Sequence, residues 1–266
     1  MKQNTKIKLI IVEGRNDLLF LNFLFKNFLE INLEEKQLNE KKSDKNSFYL
    51  YHNKNDEDIF IMQIQGLQSV DVLSENIKLN IQKIIGLKKS ENQNLTFDLN
   101  LIIDADDDLS KRKDEIGNVF KKLRDDDLSK RKDEIGNVFK KLRGLSNIKI
   151  DKTEYFLLPG AEKNGQLEDL IYESLSTLLT HDFNCFDNFK KCMNQDSIKK
   201  NDNFFSKLKL EYYFAFFAKN DKNSISCDMQ RKLEFIEKNL SNKNQVEQIY
   251  SELISAISTF ITNDKH

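Results

Sequence analysis

Two apolar runs in this chain end abruptly on acids. Ile7-Lys8-Leu9-Ile10-Ile11-Val12 stops at Glu13-Gly14, and Leu99-Asn100-Leu101-Ile102-Ile103 runs into Asp104-Ala105-Asp106-Asp107-Asp108. Short runs rich in Ile, Leu and Val with a sudden polar end predict buried strands. Asp58-Ile59-Phe60-Ile61-Met62-Gln63-Ile64-Gln65-Gly66 predicts another strand closed by a glycine turn, and Tyr155-Phe156-Leu157-Leu158, stopping at Pro159-Gly160, a fourth. Between them the spacing turns helical. After the first strand, Asn16 or Asp17 can cap a helix carrying Leu18, Leu19, Phe20, Leu21, Phe23, Leu24, Phe25 and Phe28. Residues 68–87 bring Val70, Val72, Leu73, Ile77, Leu79, Ile81, Ile84 and Ile85 at helical spacing. Past residue 165 the pattern is helical to the end, with closing amphipathic helices over 229–240 and 243–262. Strands alternating with helices predict an α/β fold with a parallel sheet covered on both faces. The Lys- and Asn-rich stretch 33–57 predicts a flexible surface insertion.

One segment is written twice. Residues 106–124 read DDDLSKRKDEIGNVFKKLR, and residues 125–143 repeat all 19 without a change, the mark of a tandem duplication rather than of a diverged solenoid. Each copy is a helix by pattern, with Leu109, Ile116, Val119, Phe120 and Leu123 along one side of the first. On one continuous helix a 19-residue offset turns the second stripe by about 100° from the first. One straight helix therefore cannot bury both, so the surplus copy either folds back near 124–127 or projects outward. Asp125, Asp126 and Asp127 lack the preceding strand that places Asp104 and Asp106, and are not expected to bind metal.

Composition narrows the field. Lys plus Arg (42) nearly balances Asp plus Glu (43), a net charge of −1, so any contact with a polyanion must be local. Cys185, Cys192 and Cys227 are too irregularly spaced for a disulfide framework and lack partners for a zinc site, which predicts buried thiols in a reducing cytoplasm. There is no N-terminal signal pattern and no apolar run near the ~18 residues that span a bilayer, so no membrane association is expected. Aromatics crowd 204–218 (Phe204, Phe205, Tyr212, Tyr213, Phe214, Phe216, Phe217) beside Lys207, Lys209 and Lys219. Stacking on bases is one use of such a segment; its density and helical context favour a buried helix.

The strand-end acids carry the candidate chemistry. In open α/β sheets ligands bind beyond the carboxyl ends of strands. Mg²⁺ takes oxygen ligands in octahedral geometry, and one or two carboxylates plus substrate phosphates suffice. Asp104 and Asp106 can turn to one place where the strand yields to a turn; Glu13 would add a third oxygen or act as general acid or base. Gly14 allows close approach of backbone to a phosphate. Asp17 either reaches the cluster or caps its helix, capping being favoured. Glu168 and Asp169 follow Gly165-Gln166-Leu167 at a helix start, where the dipole favours acids in any case.

The order strand-Glu13-Gly14, Asn16-Asp17, then strand-Asp104-Ala105-Asp106 resembles the TOPRIM domain of topoisomerases, primases and the overcoming-lysogenization-defect (OLD) nucleases. Gly165-x-Leu167-Glu168 resembles the acidic helix start of the OLD-type branch and of a standalone TOPRIM-like family near it. The likeness covers roughly residues 6–180, with 33–57 and the duplication as departures. It implies a TOPRIM-like, mostly parallel four-stranded sheet flanked by helices over 1–180, followed by a helical region over 181–266. It implies Mg²⁺, with Mn²⁺ as an alternative, at Glu13, Asp104 and Asp106, and Glu168 as the carboxylate admitting a second metal. Gly14, Asp17, Asp108, Gly165 and Asp169 are supporting residues. Two metals would clamp the attacking and leaving oxygens of a phosphodiester.

That likeness implies a metal-dependent nuclease acting on DNA or RNA, a candidate effector of phage defence. No Gly-x-x-x-x-Gly-Lys-Ser/Thr loop occurs, so ATP hydrolysis would need a separate ATPase protein. Lys111-Arg112-Lys113 and Lys121-Lys122-Arg124 are interspersed with acids and read as a solvated helix face rather than a nucleic-acid groove. The alternative is a non-catalytic TOPRIM-like regulatory protein that binds nucleic acid or a partner. A phosphoaspartate site at Asp104-Ala105-Asp106, as in haloacid-dehalogenase-type phosphatases, ranks last because it leaves Glu13 unexplained. Deleting residues 106–124, which gives the same sequence as deleting the second copy, is expected to preserve a cooperative thermal unfolding transition; its loss would show that both copies build the fold.

Overall fold

The computed structural model describes residues 4–37, 48–54, 57–64, 70–88, 94–105, 108–125, 148–160, 165–179, 207–213, 228–240 and 243–262. Its elements are β1 (Asn4–Val12), α1 (Arg15–Asn27), β2 (Glu34–Gln37), β3 (Phe48–Lys54), β4 (Glu57–Gln63), α2 (Val70–Lys88), β5 (Asn94–Asp104), α3 (Leu109–Asp125), β6 (Ile148–Leu158) and α4 (Leu167–Leu179). Two further helices follow, α5 (Met229–Lys238) and α6 (Lys243–Thr262).

The strands form one six-stranded sheet in the order β2-β3-β4-β1-β5-β6. β1 lies parallel to β4, with Leu9 opposite Phe60, and parallel to β5, with Val12 opposite Ile102. β3 pairs antiparallel with β4, and β2 antiparallel with β3. The mixed α/β architecture agrees with the sequence pattern; the strand count does not. Four strands are expected and six are found, because the polar stretch 33–57 supplies β2 and β3. Its apolar residues are Leu33, Leu38 and the cluster Phe48, Tyr49, Leu50 and Tyr51. That is enough, since Tyr49 and Tyr51 lay their rings on Phe60 of β4 at 5.7 and 4.9 Å. The β3–β4 pair is also held by Asp58, buried in β4, which accepts from Tyr51 Oη at 2.7 Å and Asn53 Nδ2 at 2.8 Å. Burial and the Asp58 contact together push the Tyr51 hydroxyl up to about 12.

The described residues fall into two compact units, residues 1–18, 32–102 and 110–155, and residues 19–31, 103–109 and 156–266. In the first, Ile7, Leu9, Ile10, Ile11 and Val12 of β1 are wholly buried. Side chains alternate in direction along a strand, so both faces of β1 are covered, as parallel strands require. Lys8 interrupts this run and is itself buried; it stands in register with Asp98 of β5, whose Oδ2 pairs with Lys6 Nζ at 3.0 Å. α3 buries Ile116, Val119, Phe120 and Leu123, most of the expected stripe, while Leu109 is only partly covered. Residues 126–147, which hold nearly all of the second copy, lie outside the described residues, as do all three cysteines.

In the second unit, Tyr250 of α6 meets Phe20, Phe23 and Phe28 edge-on at 5.2, 6.3 and 5.8 Å, and its hydroxyl lies 2.5 Å from Ser174 Oγ of α4. Burial raises the pKa of that phenol. Of the aromatic segment, residues 207–213 are described and helical; Leu210 and Tyr213 are buried, as expected for core, while Tyr212 is exposed. No helix among the described residues is long and apolar enough to cross a membrane. Because Leu9 is central and fully buried, Leu9→Ala is expected to cost about 2–5 kcal/mol of stability, read as a lowered urea midpoint.

Candidate functional site

Each group of expected site residues sits where a strand gives way to a helix. At the end of β1 the chain turns through Glu13 and Gly14 into α1. Asp17 is the third residue of that helix, and its Oδ2 accepts from the Gly14 amide at 2.7 Å. This is the reach-back half of a capping box, in which an acid in the first turn satisfies an amide the helix cannot. The capping role weighed for Asp17 is the one observed.

Glu13 faces α3. Its Oε2 is buried and lies 3.7 Å from Arg112 Nη2, an ion pair too long to be a hydrogen bond. Arg112 Nη1 sits 3.3 Å from Glu115 Oε2, one turn along the same helix. The Arg112 side chain is only 11% exposed. Arg112 was expected on a solvated face together with Lys111 and Lys113, and that expectation fails for this residue. The signal was in the spacing: Arg112 precedes Ile116 by four, and so continues the stripe of Ile116, Val119, Phe120 and Leu123.

In the second unit, three of the expected acids gather at the first turn of α4. Asp104, the last residue of β5, accepts from the Leu167 amide through Oδ1 at 2.9 Å. Asp169 Oδ2 accepts from the Gln166 amide at 2.9 Å, repeating the device of Asp17 and Gly14. Gly165 stands at φ 138°, a conformation that L side chains rarely adopt, and a Cβ there would come within 2.7 Å of Asp169 Oδ2. Ala105 N bonds Leu158 O at 2.9 Å and joins the end of β5 to the end of β6.

Glu168 is buried to 8% exposure between these caps. Desolvation raises its pKa; Lys207, its own backbone amide and Lys232 pull in the opposite direction, and Asp169 adds to the rise. Lys232, itself buried, pairs with Glu211 at 3.0 Å. Lys209 lies over the Tyr172 ring at 4.3 Å, and Tyr172 meets Tyr213 edge-on at 5.0 Å. The face of α4 that carries Glu168 and Tyr172, one turn apart, is thus lined by lysines and aromatics of 207–213.

Asp108 is exposed, and Asp106 lies outside the described residues. The register that sets Val12 opposite Ile102 puts Glu13 one residue and Asp104 two residues beyond that pair. The oxygens are of the kind Mg²⁺ takes, yet Asp104, Asp169 and Asp17 hold backbone amides and Glu13 holds a guanidinium. Among the described residues no three His, Cys, Asp or Glu side chains come together as a metal-binding group.

The sheet and its acidic strand ends define a mixed α/β protein with acids at the strand-to-helix junctions. The chain belongs to the family described as protein of unknown function (DUF3226), whose model matches residues 7–255. Among solved structures it is similar to the hypothetical protein PH0156 from Pyrococcus horikoshii OT3, at 15% identity and a TM-score of 0.49, over 97% of this chain and 100% of that one. No curated protein matches it.

The raised pKa of Glu168 has a definite sign. Between its ordinary value of 4.5 and its higher value in the fold, the native state binds more protons than the unfolded chain, so stability falls as pH rises through that window. Glu168→Gln removes this titration. Its urea midpoint is expected to gain on wild type as pH rises from about 4 to about 7, and to show no such trend if Glu168 is not desolvated.

Proposed function

We propose that this chain is a TOPRIM-like regulatory protein that binds nucleic acid or a protein partner without hydrolysing it. One observation carries this reading: four acids of the candidate site, Glu13, Asp17, Asp104 and Asp169, already hold another group of the protein. Asp104 anchors the Leu167 amide, Asp17 and Asp169 cap α1 and α4, and Glu13 pairs with Arg112. A hydrolytic site of the TOPRIM kind uses such carboxylates as metal ligands. Here one oxygen of each is engaged by the fold. Lys111 and Lys207 are among the exposed basic residues that a local polyanion contact would use.

A second reading is favoured by a different observation. β1 and β5 are parallel neighbours with Val12 opposite Ile102, the sequence order and strand direction that the TOPRIM resemblance requires of Glu13 and Asp104. On this reading the protein is a Mg²⁺- or Mn²⁺-dependent nuclease, working with a separate ATPase. Its ligands are Glu13, Asp104 and Asp106, with Glu168 for a second metal.

The two readings differ in a single assay. Plasmid DNA and RNA are incubated with the protein and Mg²⁺ or Mn²⁺, beside Glu13→Ala and Asp104→Ala. Binding without cleavage, retained in both variants, is the expected result. Metal-dependent cleavage abolished by both substitutions would establish the nuclease instead.

A further inference from the structure

The pair between Glu13 and Arg112 is unlike the other acid contacts, because it is made to a full charge rather than to a backbone amide. Both residues belong to the same compact unit. Glu13 Oε2 is buried at the carboxyl end of β1, where a carboxylate without a countercharge is costly. The guanidinium stands between two carboxylates, 3.7 Å from Glu13 Oε2 and 3.3 Å from Glu115 Oε2. Arg112 continues the apolar stripe of α3, so its methylenes are packed and its head is aimed rather than free to swing. Glu115, one turn on, fixes that aim. Lys111 also approaches Glu115, at 3.9 Å, from the exposed side.

We propose that Arg112 takes, at Glu13, the place that a divalent cation takes in a TOPRIM-like metal site: a built-in cation that keeps the carboxyl end of β1 metal-free. Removing the guanidinium takes away the cation that stands against both Glu13 Oε2 and Glu115 Oε2. Two carboxylates and solvent oxygens are what Mg²⁺ or Mn²⁺ requires. The ligand class is therefore a hard divalent cation, and Arg112 is what excludes it. This inference rests on the non-hydrolytic reading, and extends it by naming the residue that imposes it.

The test is Mn²⁺ binding to the full chain, followed by the electron paramagnetic resonance signal of free Mn²⁺. Wild type, Arg112→Gln and the double variant Glu13→Gln/Arg112→Gln are compared, with thermal unfolding measured in EDTA. Arg112→Gln is expected to bind Mn²⁺ at least tenfold more tightly than wild type, and the double variant to lose that gain. In EDTA the double variant is expected to unfold at a higher temperature than Arg112→Gln, because removing Glu13 relieves the uncompensated charge. Glu13-dependent Mn²⁺ binding of equal affinity in wild type and Arg112→Gln overturns the proposal, as does a gain that survives in the double variant. Absence of Mn²⁺ binding in every variant overturns it too. Where Arg112→Gln does not fold, Arg112→Lys keeps the charge and is expected to exclude Mn²⁺ as wild type does; uptake by that variant overturns the inference. Oligonucleotide binding by wild type in EDTA is read separately, so its loss counts against the regulatory reading and leaves the Mn²⁺ result standing.

Discussion

β1 has a parallel neighbour on each side, and much of the rest is placed by that double pairing. Its register against β4 and β5 sets Leu9 opposite Phe60 and opposite Leu99, and brings Lys8 level with Asp98. A slip of one residue would turn every side chain to the other face. Lys6 would then leave Asp98, with which it pairs at 3.0 Å between β1 and β5. The double pairing of β1 thus fixes where Glu13 leaves the sheet and meets the guanidinium of Arg112.

Helix starts are the second constraint. α1 and α4 are both preceded by a residue whose amide is bound by an aspartate three positions later, Gly14 by Asp17 and Gln166 by Asp169. Such a cap contributes about 0.5–2 kcal/mol, and the dipole adds to it. At α4 a further carboxylate, Asp104, arrives from β5 to take the Leu167 amide. The last residue of a strand and the first residue of a helix are thereby tied across 63 positions of sequence. This one contact makes Asp104 part of the scaffold as well as a candidate ligand.

Most of the sheet and the principal helices were legible in the sequence because burial on both faces leaves a plain mark. The runs at 7–12, 58–64, 99–103 and 155–158 all lie in or beside strands, and the helical spacings after 14, 68 and 165 correspond to α1, α2 and α4. β2 and β3 were missed for a physical reason. β2 (Glu34–Gln37) carries no apolar residue, and in β3 the buried Tyr49 and Leu50 are a short apolar cluster amid polar neighbours. The candidate site was legible as residue types and order, with Glu13, Asp104 and Glu168 each at a strand-to-helix junction. Their partners were not. Arg112 and Lys232 sit in helices among other charges, and composition gives no hint that they are buried; only their position on the apolar stripe does.

The acids pose a general question about charge at strand ends. A carboxylate there needs positive charge or hydrogen-bond donors, which a metal, water, a basic or polar side chain or the amides at a helix start can supply. Metal and water remain exchangeable, whereas groups of the chain itself are held by covalent structure. In this chain Asp17, Asp104 and Asp169 draw on amides, and Glu13 on Arg112. Glu168 is held differently: Lys207 and Lys232 favour its charged form, but burial outweighs them and its pKa rises. A carboxylate so desolvated gains from any cation that reaches it, whereas Glu13 already stands against the guanidinium of Arg112.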